Sequence, residues 1–264
     1  MKRAAPAYTL LAILLGSGLA LLAQGPVSAG PAPADDDASA EDQPAHPPYL
    51  DLRRVAGIEG DVAAGEAKSE MCVACHGTEG ISIAPSFPNL AGQSADFMYW
   101  QLVEYKRGVN ASPMTPLVSG MDEQDLRDMS LYYASLPTGG APSSGQQELA
   151  EAADPAELQA GRQLYLSGDP ARGIPSCQGC HGADARGPAA SAHVNRSGHR
   201  PYAGYPALRG QQMVYLQNKL GQYRDGEMAD STSDFVMTGV ARQLDDESIQ
   251  ALSTWLSSLP ATGP

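Results

Sequence analysis

The sequence predicts an all-α chain made of two copies of one small domain, each wrapped around a bound group. Three observations carry that prediction. The pentad Cys72-Val73-Ala74-Cys75-His76 returns as Cys177-Gln178-Gly179-Cys180-His181, and together the pentads use all four cysteines of the 264-residue chain. A second block, Phe87-Pro88-Asn89-Leu90-Ala91-Gly92-Gln93, returns as Tyr205-Pro206-Ala207-Leu208-Arg209-Gly210-Gln211. Helix start and stop signals recur in each copy, while no alternating strand pattern of useful length appears.

The repeat holds beyond these blocks. Leu102 matches Leu220, Tyr105 matches Tyr223, Lys106 matches Arg224 and Gly108 matches Gly226. Met114 meets Met237 and Leu126 meets Ile249. Tyr132-Tyr133-Ala134-Ser135-Leu136-Pro137 runs beside Trp255-Leu256-Ser257-Ser258-Leu259-Pro260. The copies span 61–140 and 155–262, joined by a Gly/Ser/Pro-rich linker at 141–154. Each is of a size at which a core alone is marginal, so the bound group must also serve as core.

Within the first copy a helix is expected from Asp61, a side chain suited to capping, to Met71 at the pentad. The next runs from Asp96 to Arg107 and stops at Gly108. The last runs from Asp122 to Leu136, its acidic first turn matching the helix dipole and Pro137 ending it. Its counterpart runs from Asp245 to Leu259 before Pro260. Residues 182–204, with His193 and His199, have no full counterpart in the first copy and read as a solvated surface loop.

The ends differ in kind. Met1-Lys2-Arg3, an apolar run through Leu15 and the small residues before Gly30 read as an export leader at 1–29, cleaved after Ala29. Retention of the leader as an anchor is the alternative. Residues 30–60 are rich in proline and acid and read as a disordered tether. Service as a spacer, with peripheral membrane association, stays open beside that. The formal net charge is −13. It disfavours nucleic acid and anionic membrane surfaces as partners. It suits either docking on a basic patch or plain solubility.

C-x-x-C-H is the attachment signature of c-type haem. Cys72 and Cys75, and Cys177 and Cys180, would bind the porphyrin as thioethers, and His76 and His181 would face the irons. The chain is thus expected to carry two covalent haem c groups. A disulfide pair and a zinc site are the competing readings. Zinc needs four ligands, and each pentad offers at most two thiolates and one imidazole. On the opposite face of each iron, the repeat nominates Met114 and Met237, the only methionines that coincide in register, each expected in a loop before the last helix. Methionine also fills cores, which is the reading for the others, with Met121 the nearest competitor. The carbonyls of Pro88 and Pro206 either accept the histidine Nδ1–H or belong to simple turns. Tyr132 and Trp255 read as apolar mass against the haem.

With these residues in hand, the chain resembles the dihaem cytochrome c4 family of class I c-type cytochromes. The resemblance rests on the pentads, the Phe87–Gln93 block and its partner, the aligned methionines and the Asp122-Glu123-Gln124-Asp125-Leu126 helix start, and it covers 61–262. It implies two tandem class I cytochrome c-like domains with His/Met haems, and a periplasmic carrier of single electrons. It further implies delivery from a quinol-oxidising complex to a terminal oxidase. The main alternative is the electron-accepting subunit of a periplasmic dehydrogenase. An enzyme in its own right would need an open iron face or a spare cysteine, so no catalytic residues are assigned.

Overall fold

The computed structural model describes residues 49–108, 112–138, 148, 151–188, 194–202 and 204–260. The expected leader, residues 30–48 of the tether, most of the linker and His193 lie outside the described residues. Among the described residues, five α-helices are laid out in each copy. In the first they are α1 (Val62–Lys68), α2 (Val73–His76), α3 (Ala95–Arg107), α4 (Thr115–Val118) and α5 (Glu123–Ser135). In the second they are α6 (Pro155–Ser167), α7 (Gln178–His181), α8 (Met213–Asp225), α9 (Thr232–Ala241) and α10 (Asp246–Ser258). Among the described residues, β pairing is confined to isolated bridges. No described helix is long and apolar enough to cross a membrane.

Local chemistry sets the helix ends. Asp61 accepts the Ala63 and Ala64 amides at 2.8 and 3.1 Å and starts α1. Asp154 accepts the Ala156 amide at 2.9 Å and starts α6, whose first residue is Pro155. Asp122 and Asp125 close a reciprocal capping box on α5, and Asp245 accepts from Ser248 at the start of α10. Gly108 and Gly226, in left-handed backbone with φ 66° and 76°, end α3 and α8.

In each copy the last helix crosses the first and the third: α5 packs on α1 and α3, and α10 on α6 and α8. The first of these crossings needs glycine. A Cβ on Gly65 would lie 2.1 Å from the Asp128 carbonyl oxygen, and one on Gly161 would lie 2.0 Å from that of Ala251. Apolar side chains fill the remaining space. In the first copy Ile58, Tyr99, Val118, Leu126 and Met129 form the buried cluster. In the second, Leu164, Tyr165, Ile174, Leu216, Leu244, Ile249, Leu252 and Leu256 lead it. Fully buried side chains such as Leu126 each contribute on the order of 1.5–3 kcal/mol.

Two expectations are corrected. The tether does not extend to residue 60 as a disordered segment. Leu50 donates to the Asp230 carbonyl at 2.9 Å and accepts from the Thr232 amide at 3.0 Å, at the start of α9. Ile58 then enters the core of the first copy, its amide donating to Asp96 Oδ1 at 3.0 Å. Residues 49–58 therefore join the two copies, because apolar side chains sit among the acids and prolines. The 182–204 insertion is likewise not a free surface loop. The Arg200 amide donates to the Val55 carbonyl at 3.2 Å, Ala56 and His199 form a bridge, and Arg200 Nη1 reaches Asp96 Oδ2 at 3.0 Å.

Candidate functional site

Each pentad sits on a single helical turn. Ser69–Cys72 is a 3-10 turn that leads directly into α2, and Cys177 immediately precedes α7. Helical spacing puts the two cysteines of each pentad, three apart, on one face, with the histidine four after the first. The chain must then turn away sharply. Gly77 (φ 77°) and Gly182 (φ 80°) follow the histidines, and a Cβ there would lie 2.0 Å from the Ile81 carbonyl oxygen and 2.2 Å from that of Gly187. Only glycine combines that backbone with that approach. The Tyr165 hydroxyl donates to the Gly182 carbonyl at 2.6 Å and holds the second turn in place.

His76 and His181 are 5% and 6% exposed. His76 Nδ1 lies 2.8 Å from the Pro88 carbonyl oxygen, and His181 Nδ1 lies 2.9 Å from that of Pro206. A carbonyl can only accept, so Nδ1 carries the proton and Nε2 keeps its lone pair. Burial pushes both imidazoles below their ordinary pKa, against the opposing effect of the carbonyl hydrogen bond. Phe87 and Tyr205 stand at equivalent places beside the two rings, 6.2 and 6.5 Å away between centroids. All four cysteines are half-buried and outside any disulfide. Burial raises the Cys72 thiol and pushes that of Cys177 up to about 11.

The methionines divide. Met114 ends the turn before α4 and packs, with Cys72 and Trp100, against the first core cluster. Met121 packs there too. Met237 is not in a loop: it lies within α9, half-buried, beside exposed Phe235 and Val236. Ser231 caps that helix by accepting the Asp234 amide at 3.2 Å, a local signal that outweighs Gly239. Trp255 packs in the second core, its ring centroid 4.9 Å from that of Tyr165, and the Tyr132 ring lies tilted against Tyr133 with centroids 5.1 Å apart. His199 is half-buried in the bridge with Ala56.

These residues fit covalent haem. Each site offers two cysteines outside any disulfide and a buried neutral imidazole whose Nε2 lone pair is available. In the first copy the buried Trp100 Nε1–H finds no acceptor in the protein, although it lies in the same cluster as Cys72 and Met114. A buried donor left unpaired costs about 1–3 kcal/mol, so a polar edge of a bound group belongs near it. Among the described residues no group of three or more His, Cys, Asp and Glu side chains is placed to hold a free metal ion.

Two histidine-bearing, cysteine-paired turns in two copies of one helical fold define a c-type cytochrome with two attachment sites. The cytochrome c family profile matches residues 62–137 and 158–260. Cytochrome c4 of Azotobacter vinelandii is 33% identical over 221 residues, covering 80% of this chain and 94% of the relative. The crystal structure of reduced recombinant cytochrome c4 from Pseudomonas stutzeri, 32% identical, superposes with a TM-score of 0.62 over 76% of this chain and 100% of that one. A thiosulfate dehydrogenase electron acceptor of Thiomonas intermedia is 28% identical over 200 residues, covering 75% of this chain and 82% of the relative. The chain belongs to the cytochrome c4 family: it is a dihaem electron-transfer cytochrome with two covalent haem c groups.

Proposed function

We propose that Cys72 and Cys75 hold one haem and Cys177 and Cys180 the other, with His76 and Met114, and His181 and Met237, as the axial pairs. The observation that carries this is the pair of buried imidazoles, each tied through Nδ1 to a proline carbonyl and each presenting Nε2. When bound, each haem supplies a one-electron ferric/ferrous couple. The chain's residues do the rest. Pro88 and Pro206 orient the imidazoles and fix their tautomer. The core clusters keep water from the sites. The thioethers of Met114 and Met237, soft and neutral, favour the ferrous state and raise the potential. Domain limits near 61–140 and 155–262 accord with the two profile matches, and residues 49–58 belong with the folded part.

In this reading the mature protein is periplasmic, its leader removed after Ala29. It takes electrons from a quinol-oxidising complex and passes them to a terminal oxidase, as the family implies. The relative from Thiomonas intermedia supports a second reading, in which the donor is a periplasmic dehydrogenase. The two separate by kinetics: reduction by a purified dehydrogenase faster than by quinol-oxidising membranes favours the second. The ligand assignment is tested by Met114→Ala and Met237→Ala in redox-titrated optical spectra. Each variant is expected to lose the far-red ferric charge-transfer band of one haem and to lower its potential. Unchanged bands and potentials in both would refute the assignment.

A further inference from the structure

The two copies meet through a reciprocal pair of glutamine side chains. Gln93 Nε2 donates to the Ala207 carbonyl at 2.9 Å, and the Ala207 amide donates back to Gln93 Oε1 at 2.9 Å. Gln211 Nε2 donates to the Asn89 carbonyl at 3.0 Å, and the Asn89 amide donates back to Gln211 Oε1 at 2.7 Å. Gln93 and Gln211 are 8% and 6% exposed. Each Oε1 also accepts the amide of the next residue, Ser94 at 2.8 Å and Gln212 at 2.9 Å, so each side chain is locked before it reaches across.

The residues they grip are Asn89 and Ala207, which directly follow Pro88 and Pro206. The Pro88 carbonyl and the Asn89 N–H are two ends of one peptide group. One end accepts from His76 Nδ1, and the other donates to Gln211 Oε1. The Pro206–Ala207 peptide stands in the same way between His181 and Gln93. A peptide whose N–H donates to a good acceptor is polarised and becomes a stronger acceptor at its oxygen. A stronger acceptor on Nδ1–H makes the imidazole more basic at Nε2.

We propose that Gln93 and Gln211 are crossed positioning residues, each setting the donor strength of the axial histidine in the other copy. Gln211, in the second copy, acts on His76, and Gln93, in the first, acts on His181. This rests on the axial assignment of His76 and His181 made above. Losing Gln211 weakens the acceptor on His76 and makes its ring a poorer donor, which disfavours ferric iron there. A pair that merely glued the copies together would move both potentials alike, or would disturb its own copy most.

The test uses the holoprotein and its Gln93→Met and Gln211→Met variants, with redox titrations followed by NMR so that each potential is assigned to its domain. Gln211→Met is expected to raise the potential of the His76 haem more than that of the His181 haem, and Gln93→Met to do the reverse. Equal shifts, shifts larger in the mutated copy, or none overturn the proposal. Should the methionine variants fail to mature, Gln211→Glu retains an acceptor for the Asn89 amide. It is expected to leave the His76 haem at or below its wild-type potential, and a rise overturns the proposal. Hyperfine-shifted ring resonances of His76 and His181 in the wild type read ligation separately. Their absence overturns both the assignment and the proposal; their presence without crossed shifts overturns the crossed positioning alone.

Discussion

Replacing Arg200 by leucine asks whether the inserted segment helps hold the fold. Arg200 Nη1 lies 3.0 Å from Asp96 Oδ2; the aspartate side chain is 5% exposed and the arginine 34%. The carboxylate keeps one other described partner when the guanidinium goes, the Ile58 amide at 3.0 Å, and it sits in the first turn of α3, where the helix dipole favours it. The loss should therefore fall between the roughly 0.2–1 kcal/mol of an exposed pair and the roughly 3–5 kcal/mol of a broken buried one. We take about 2 kcal/mol. For a chain of about 150–250 ordered residues this lowers Tm by about 4–8 °C. Far-UV circular dichroism of the oxidised holoprotein measures it, with Asp96→Asn and the double variant alongside. The double variant should be less destabilised than the sum of the singles, since an amide at position 96 leaves no buried charge behind when the guanidinium goes. A fall below about 1 °C for Arg200→Leu, or strict additivity, would refute the reasoning.

Two further outcomes follow from buried groups and close approaches. Glu104 is 1% exposed and its carboxyl is pushed up to about 7 by burial and then by Asp234, against Ser231, Gln101 and Lys219. Because the folded value exceeds the ordinary 4.5, the folded state holds its proton more tightly. Its stabilising share is full below about 4.5 and is lost as pH rises through about 7, by at most about 3 kcal/mol. Glu104→Gln should flatten that part of the urea-midpoint profile, and superimposable profiles would contradict it. Gly161→Ala drives a Cβ to 2.0 Å from the Ala251 carbonyl and should cost about 1–3 kcal/mol. Gly221→Ala, in α8 with nothing within 4 Å, should instead stabilise by about 0.5–1 kcal/mol. Equal denaturation midpoints for the two variants would count against the helix-crossing role of Gly161.

What could be read from the sequence was mostly local. Asp61, Asp122 and Asp245 declare helix starts because a cap bonds two or three residues ahead, and Gly108 and Gly226 declare ends through their backbone. The pentads carry their own chemistry at fixed spacing. Contacts across more than a hundred residues left no comparable trace. Gln93 and Gln211 stood in the repeated block, yet nothing beside them points to Ala207 and Asn89. Arg200 lay in an insertion with no register, and Leu50 and Ile58 were outweighed by the acids and prolines around them. The helix around Met237 did have a signal, Ser231 followed three residues later by Asp234, which the aligned Met114 segment lacks. Gly65 and Gly161 take their meaning only from the crossings of their helices with α5 and α10.

The glutamine forks grasp main chain, not side chain, and this bears on how a duplicated chain can diverge. Asparagine stands at 89 where alanine stands at 207; the same two backbone bonds hold both, and the Asn89 side chain adds its own, donating through Nδ2 to the Gly210 carbonyl at 3.1 Å and accepting from Gln212 Nε2 at 3.3 Å. Because the forks themselves read only main chain, a new side chain at 89 or 207, for a new docking face or a different environment, would forfeit only the bonds that Asn89 adds and leave both forks fastened. The same grip on main chain means that a backbone shift of a few tenths of an ångström at 89 or 207 would be felt on both sides at once.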